Sequence, residues 1–320
     1  VKKYESFEEM LANDKSRQVY RYMIGRASEY TIDMREYARE VVGLCVKEAK
    51  KRQQAHDTTV IAIARRFLAL LDGVSILLAG GNAEVCYPLL RSMLEAYLSV
   101  AHILQDKTRE RANAYQLAWI KRRIKEYKRV SINTQEGKKL HAELAKDKLT
   151  PEILKHMPAN LENLAAEMEE YLQNDDDFKV VLAEWERLTN PAGKKRNSDP
   201  HWYELFGGRS NIRDLALQLN HLGLYEFMYR DWSDSVHAGD ALPSFTGSDG
   251  RINPLRHPRD YPKVVSHMFL VTINMLHLLA DHYNPSSACS LRKYTANTLV
   301  PKCSEVADFI NAVLAGMSEE

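Results

Sequence analysis

Cysteine is scarce: 320 residues carry four (Cys45, Cys86, Cys289, Cys303), far apart, with no CxxC and no Cys/His ligand spacing. That excludes a disulfide-stapled scaffold and suits a reducing cytosol. Net charge is lacking too. Forty-four Lys and Arg against 43 Asp and Glu leave +1, so no global field points to nucleic acid or membrane. Long apolar runs are also missing. Phe67 to Gly80 is broken by Asp72, and Val264 to Ala280 carries His267, Asn274 and His277. Neither reaches the roughly 20 clean apolar residues of a spanning helix. The opening VKKYESFEEMLANDK lacks the apolar core of a signal peptide. The expectation is a cytoplasmic protein with no membrane partner.

Sequence motifs are absent in the same way. There is no P-loop, GxGxxG, HExxH or GxSxG, so no nucleotide, dinucleotide or serine-hydrolase chemistry is announced and no cofactor is expected. No E-x-x-H pair exists, and His267 and His277 lie ten apart on one helix, poorly placed to share an ion. With His282 they read as core or edge histidines, and no metal is expected. Strand-like alternation, internal repeats and low-complexity tracts are missing as well.

What remains is helix. Residues 1–28 look like short charged helices or an arm. Tyr30 to Gln54 is amphipathic, with Met34, Tyr37, Ala38, Val41, Val42, Cys45 and Val46 at helical spacing. His56 to Leu78 is apolar all round, Gly80-Gly81-Asn82 is a tight turn, and Ala83 to Gln105 follows as an antiparallel neighbour. Thr108 to Val130 is strongly basic, yet Tyr115, Leu117, Ile120 and Ile124 are spaced to pack inward with the charges solvated. Asn133 to about Asp199 turns polar and reads as a helical insert. Arg213 to His237 and Tyr261 to Tyr283 return to apolar helix, and Ser304 to Met317 is a short amphipathic tail. The fold class is all-α, an antiparallel helical bundle with a charged helical insert. An N-terminal helical arm (1–56) precedes a central bundle (57–285), interrupted by the insert at about 131–205, and a C-terminal tail helix (286–320) ends it.

The densest chemistry lies in LYEFMYRDWSDSVHAGD, Leu224 to Asp240. On one helix, Tyr225, Tyr229, Ser233 and His237 share a stripe at steps of four, with Arg230 two turns before His237. Ala238-Gly239-Asp240 and Pro243 end that helix. Such groups cost too much to bury unpaired. Their expected partners are Tyr87, Arg91 and Glu95, a polar stripe on an otherwise apolar helix.

Arg230 to His237 resembles the R-x(4–6)-H pattern of the HEPN helical nucleases. Such an arginine holds a scissile phosphate while the histidine moves a proton on or off the 2′-hydroxyl or the leaving oxygen. Arg251 to His257 matches the same spacing inside a proline-rich loop. RSMLEAYLSVAHIL and YRDWSDSVHAG together resemble the two signature segments of a bacterial helical family of unknown function, R-x(3)-E and Y-x(3)-S-x(3)-H-x-G. The corresponding positions are Arg91 and Glu95, then Tyr229, Ser233, His237 and Gly239. The resemblance covers roughly residues 60–130 and 205–285 and implies no established activity. Arg230, His237, Glu95, Arg91, Tyr229 and Ser233 are thus the candidate catalytic residues. One expectation is a HEPN-like, metal-independent ribonuclease or a defence or toxin effector, acting on RNA as a homodimer. The other is a non-enzymatic regulatory or ligand-sensing protein whose polar network is structural.

Overall fold

The computed structural model describes residues 6–11, 14–146, 160–191, 196–234, 245–246, 251–252 and 255–318. It is all-α. In chain order the helices are α1 (Phe7–Met10), α2 (Asp14–Arg52), α3 (Ala55–Ala79), α4 (Tyr87–Gln105), α5 (Thr108–Val130), α6 (Gln135–Leu144), α7 (Leu161–Asn174) and α8 (Asp176–Thr189). Then come α9 (Ile212–Gln218), α10 (Leu222–Leu224), a π turn at Tyr225–Tyr229 and α11 (Arg230–Asp234). The last are α12 (Tyr261–Tyr283), α13 (Pro285–Tyr294), a second π turn (Thr295–Leu299) and α14 (Val300–Ser318). Among the described residues, extended pairing is confined to β1 (Phe245–Thr246) against β2 (Arg251–Ile252) and a single bridge from Ser6 to Leu255. The chain forms two compact units, one reaching to Leu104 and resuming at Ala216, the other Gln105–Leu215.

The first unit is built on α2, and here the sequence expectation needs correction. Residues 14–28 are not an arm. Ser16, Tyr20, Met23 and Ala27 extend the buried stripe that continues through Tyr30, Met34, Ala38, Val42, Cys45 and Ala49. Steps of three and four keep all of them on one face. Each large side chain buried this way contributes about 1.5–3 kcal/mol, so the helix has no reason to start at Tyr30. The link to α3 is two residues, with Gln53 left-handed at φ 52°, and the pair is antiparallel. Thr31 Oγ1 lies 3.5 Å from Ser75 Oγ, and Arg35 Nη1 donates to Asp72 Oδ1 at 2.8 Å.

Gly81, at φ 85°, turns the chain from α3 into α4, and Gly73 lets the two helices close. A Cβ at Gly73 would stand 3.1 Å from Leu89 Cδ1. Helix α12 runs antiparallel to α3, tied at both ends: Tyr261 OH donates to the Leu78 carbonyl at 2.5 Å and Tyr283 OH to Asp57 Oδ1 at 3.0 Å. By length and apolar character Pro258–Tyr283 would serve as a spanning helix, more than its interrupting polar residues suggest. In this fold it is a core helix with Val264, Met268, Val271, Met275, Leu276 and Leu279 fully buried.

The C-terminal helix packs on α2. Helix α14 begins at Val300, buries Cys303, Val306 and Ile310, and runs antiparallel to α2 through Arg26–Glu305 at 3.2 Å and the Lys302–Asp33 pair.

A second correction concerns the helix expected over Arg213–His237. It is broken. Asn220 adopts φ 61°, the His221 N–H closes on the Ala216 carbonyl at 2.7 Å, and helix resumes only at Leu222. Asparagine tolerates the left-handed region that ends helices. The π turn at Tyr225–Tyr229 then changes the angular step along the stripe. Residues 235–240, including His237 and Gly239, lie outside the described residues.

The second unit has its own core. Leu117, Ile120 and Ile124 of α5 pack with Ala165, Leu172, Phe178, Val181, Trp185 and Leu205. The inward packing expected of the basic helix is what forms. Three of its outward charges have acidic partners in the same unit: Arg109 with Asp177, Lys125 with Asp199, and Lys128 Nζ on Glu169 Oε1 at 2.6 Å.

Candidate functional site

The polar stripe of α4 is met within the first unit. Arg91 Nη2 donates to Tyr229 OH at 2.8 Å, Arg91 Nε to Glu95 Oε1 at 3.2 Å, and Tyr229 OH to the same Glu95 oxygen at 2.6 Å. The guanidinium also stands over the Tyr229 ring, 4.6 Å from its centroid. Three groups therefore close a triangle in which each satisfies the others. Tyr225 stacks on Tyr229 with centroids 5.1 Å apart.

The stripe continues in both directions. Tyr87 OH donates to Asp260 Oδ1 at 2.8 Å, Lys263 Nζ stands 5.4 Å from the Tyr87 ring centroid, and Lys263 pairs with Asp231. At the other end Tyr97 OH and His221 Nε2 lie 2.6 Å apart. Burial pushes Tyr97 up to about 12 and His221 below its ordinary value, so this is a neutral pair at pH 7. The contacts 97–221 and 91–229 show the segment around the π turn running antiparallel along α4.

Of the residues singled out from the sequence, the structure joins Arg91, Glu95 and Tyr229. It does not bring Arg230 to them. That side chain is 74% exposed, with Nη1 3.6 Å from Glu226 Oε2 one turn back. Ser233 lies in α11, but its side chain is outside the described residues, as is all of His237. Tyr229 is held well above its ordinary value, by burial first and then by the Glu95 carboxylate. A phenol so placed stays protonated at neutral pH and is a donor, not a base.

In the second R-x(4–6)-H match, Arg251 has no described side chain. His257 Nδ1 accepts from the Arg259 N–H at 3.2 Å, and its ring meets Phe7 edge-on at 4.8 Å. It caps the short turn at Pro258–Asp260, a structural use.

A family model described as a family of unknown function (DUF5677) matches residues 57–252, more than half of the chain. The chain belongs to this family. The DUF5677 stretch takes in α4, all of the Gln105–Leu215 unit and the Tyr229 segment, so the whole triangle lies inside it. No curated protein and no solved structure matches the chain.

One group of chemically capable residues went unseen in the sequence. His56, Asp57 and His282 place one ligand atom each within 4.8 Å of one another. Only Asp57 of the three falls within the DUF5677 match. The signal available was positional: His56-Asp57 opens one predicted core helix and His282 closes another, and antiparallel packing brings such ends together.

The triangle's energetic role is testable. Tyr229→Phe removes the hydroxyl that bridges Arg91 and Glu95. Glu95 is 44% exposed and rehydrates, so the loss should be about 1–2 kcal/mol rather than a full buried-charge penalty. Urea unfolding should show a lower midpoint at unchanged slope. An unchanged midpoint would mean the three groups are no better paired with one another than with water.

Proposed function

We propose that this chain is a non-enzymatic regulatory or ligand-sensing helical protein of the cytoplasm, in which Arg91, Glu95 and Tyr229 are a structural clasp. One observation carries this reading. The three groups satisfy one another while Arg230, the would-be phosphate clamp, lies 74% exposed against Glu226. A site built for proton transfer needs a group whose pKa is near the working pH, and Tyr229 is displaced away from neutrality. The clasp instead fixes the π turn against α4. The four cysteines are unpaired, three of them buried, in keeping with a reducing compartment.

The competing reading is a HEPN-like, metal-independent ribonuclease or toxin effector. It rests on the Arg230–His237 spacing and needs a homodimer that faces two such motifs across one cleft. Incubation of varied RNAs with the full chain in EDTA separates the two. The regulatory reading expects no cleavage. Cleavage leaving a 2′,3′-cyclic phosphate, abolished by His237→Ala in a protein that keeps its unfolding midpoint, would overturn it.

A further inference from the structure

Asp57 lies in the first turn of α3 and is buried, its side chain 4% exposed. A buried carboxylate at a helix N-terminus is favoured by the exposed N–H groups there, yet its two oxygens are not equally served. Oδ1 accepts the Tyr283 hydroxyl at 3.0 Å, whereas Oδ2 is buried with no hydrogen-bond partner. Arg52 Nε is 3.7 Å from Oδ2, too far for a hydrogen bond. His282, in the last turn of α12, has its Nε2 buried without a partner as well, 3.9 Å from Asp57 Oδ1. His56 Nε2 stands 3.6 Å from the same oxygen. Both imidazoles thus approach Oδ1, one ligand atom from each of the three residues lies within 4.8 Å of the others, and two buried polar atoms in the cluster have no partner, which calls for an explanation.

We propose that His56, Asp57 and His282 form a binding site for one divalent transition-metal ion, zinc by preference, which pins the start of α3 to the end of α12. Two imidazole nitrogens and a carboxylate oxygen are a borderline donor set of the kind zinc takes. Zinc bonds of about 2.0–2.1 Å in a tetrahedron put ligand atoms roughly 3.3 Å apart. Closing the present separations, 3.6 and 3.9 Å to Oδ1 and at most 4.8 Å between any two ligand atoms, needs side-chain shifts of about an ångström or less on each ligand. The helix fields assist: the C-terminal end of α12 favours a cation near His282, while the start of α3 favours the ionised Asp57. Tyr283 supplies the outer-shell hydrogen bond that holds the carboxylate.

Arg52 is the feature that bears against an ion. Its guanidinium is already anchored elsewhere, with Nη1 on the His282 carbonyl at 3.1 Å and the charge 5.2 Å from the Tyr283 ring centroid. It partly offsets the Asp57 charge from 3.7 Å without hydrogen-bonding to it. The rival account makes Asp57 simply a counter-ion for Arg52 and the histidines.

The test uses the full chain, stripped with EDTA and dialysed, then titrated with zinc chloride alone and separately with cobalt chloride. The expected result is one zinc per chain, a thermal midpoint that rises with zinc, and a visible cobalt(II) band from nitrogen and oxygen ligands in low symmetry. His56→Gln and His282→Gln should each weaken zinc by more than about 100-fold. Tyr283→Phe, losing only the outer-shell bond, should weaken it by about 10-fold. If either histidine variant does not fold, the wild-type cobalt band and the graded loss in Tyr283→Phe decide. No band with no zinc-dependent midpoint overturns the proposal in favour of the counter-ion account. Zinc binding that survives both histidine substitutions undiminished overturns it equally.

Discussion

Trp232→Ala should destabilise the first unit by about 3–5 kcal/mol, the range for removing a fully buried large aromatic. Trp232 is 0% exposed and meets the His267 ring at 5.4 Å between centroids. It lies three residues past Tyr229, on the short helix α11, so it is the apolar anchor of the segment whose polar anchor is the triangle with Arg91 and Glu95. The contrast with Trp232→Phe makes the prediction sharp. The indole Nε1 is buried without a hydrogen-bond partner, so deleting it breaks no bond and removes a desolvation cost of about 1–3 kcal/mol. That gain works against the void left by the smaller ring, and the phenylalanine variant should lose no more than about 1–2 kcal/mol. Denaturant unfolding of both variants measures the difference. If the two lose equal stability, the indole N–H is not the idle group the structure shows.

The fold was largely readable because burial writes itself into periodicity. α5 and α12 begin and end where their apolar spacing and flanking residues place them, since each carries an uninterrupted inward face. α2 was legible only in its second half. Ser16, Tyr20 and Ala27 are small or amphipathic, and they look like surface among the lysines and arginines around them. They are buried by partners remote in sequence: Tyr20 donates to the Arg256 carbonyl at 2.8 Å, and α14 lies along the same stretch through Arg26–Glu305. The break at Asn220 and the π turn after it escaped for a local reason. Pattern matching at 3.6 residues per turn has no template for a left-handed residue followed by a wide turn.

The candidate site divides along the same line. Arg91, Glu95 and Tyr229 were recognisable because polar groups on apolar helical stretches must find each other, and the break at Asn220 falls before Tyr229. Arg230 shows where that logic stops. The residue follows Tyr229 directly, so a helical turn of about 100° carries it off the stripe, and its exposed pairing with Glu226 is the outcome. The His56–Asp57–His282 cluster needed three dimensions, because no spacing rule links a residue that opens one helix to one that closes another more than two hundred positions later.

Acid should destabilise the protein through His267, and the sign follows from its surroundings. The ring sits against Trp232 on α11 and near Lys263 and Asp231. Burial first, then the Lys263 charge, lower it from 6.5 to about 4, with Asp231 pulling weakly the other way. The folded state therefore refuses a proton that the unfolded chain accepts. Above pH 6.5 neither state is protonated and the stability is fully present. Between 6.5 and about 4 the unfolded state gains a proton that the folded state lacks, so stability falls as the pH falls. Below about 4 the loss is complete. A shift of this size corresponds to about 3 kcal/mol at most, trimmed to about 2 by the ring's partial exposure. His267→Phe keeps an aromatic partner for Trp232 and has no proton to take up, while every other titrating group is shared with the wild type. Between pH 7.5 and 4 the wild type should therefore lose about 2 kcal/mol more unfolding free energy than His267→Phe. Parallel pH profiles for the two proteins would place the acid sensitivity on other groups and leave the His267 ring as accessible to a proton folded as unfolded.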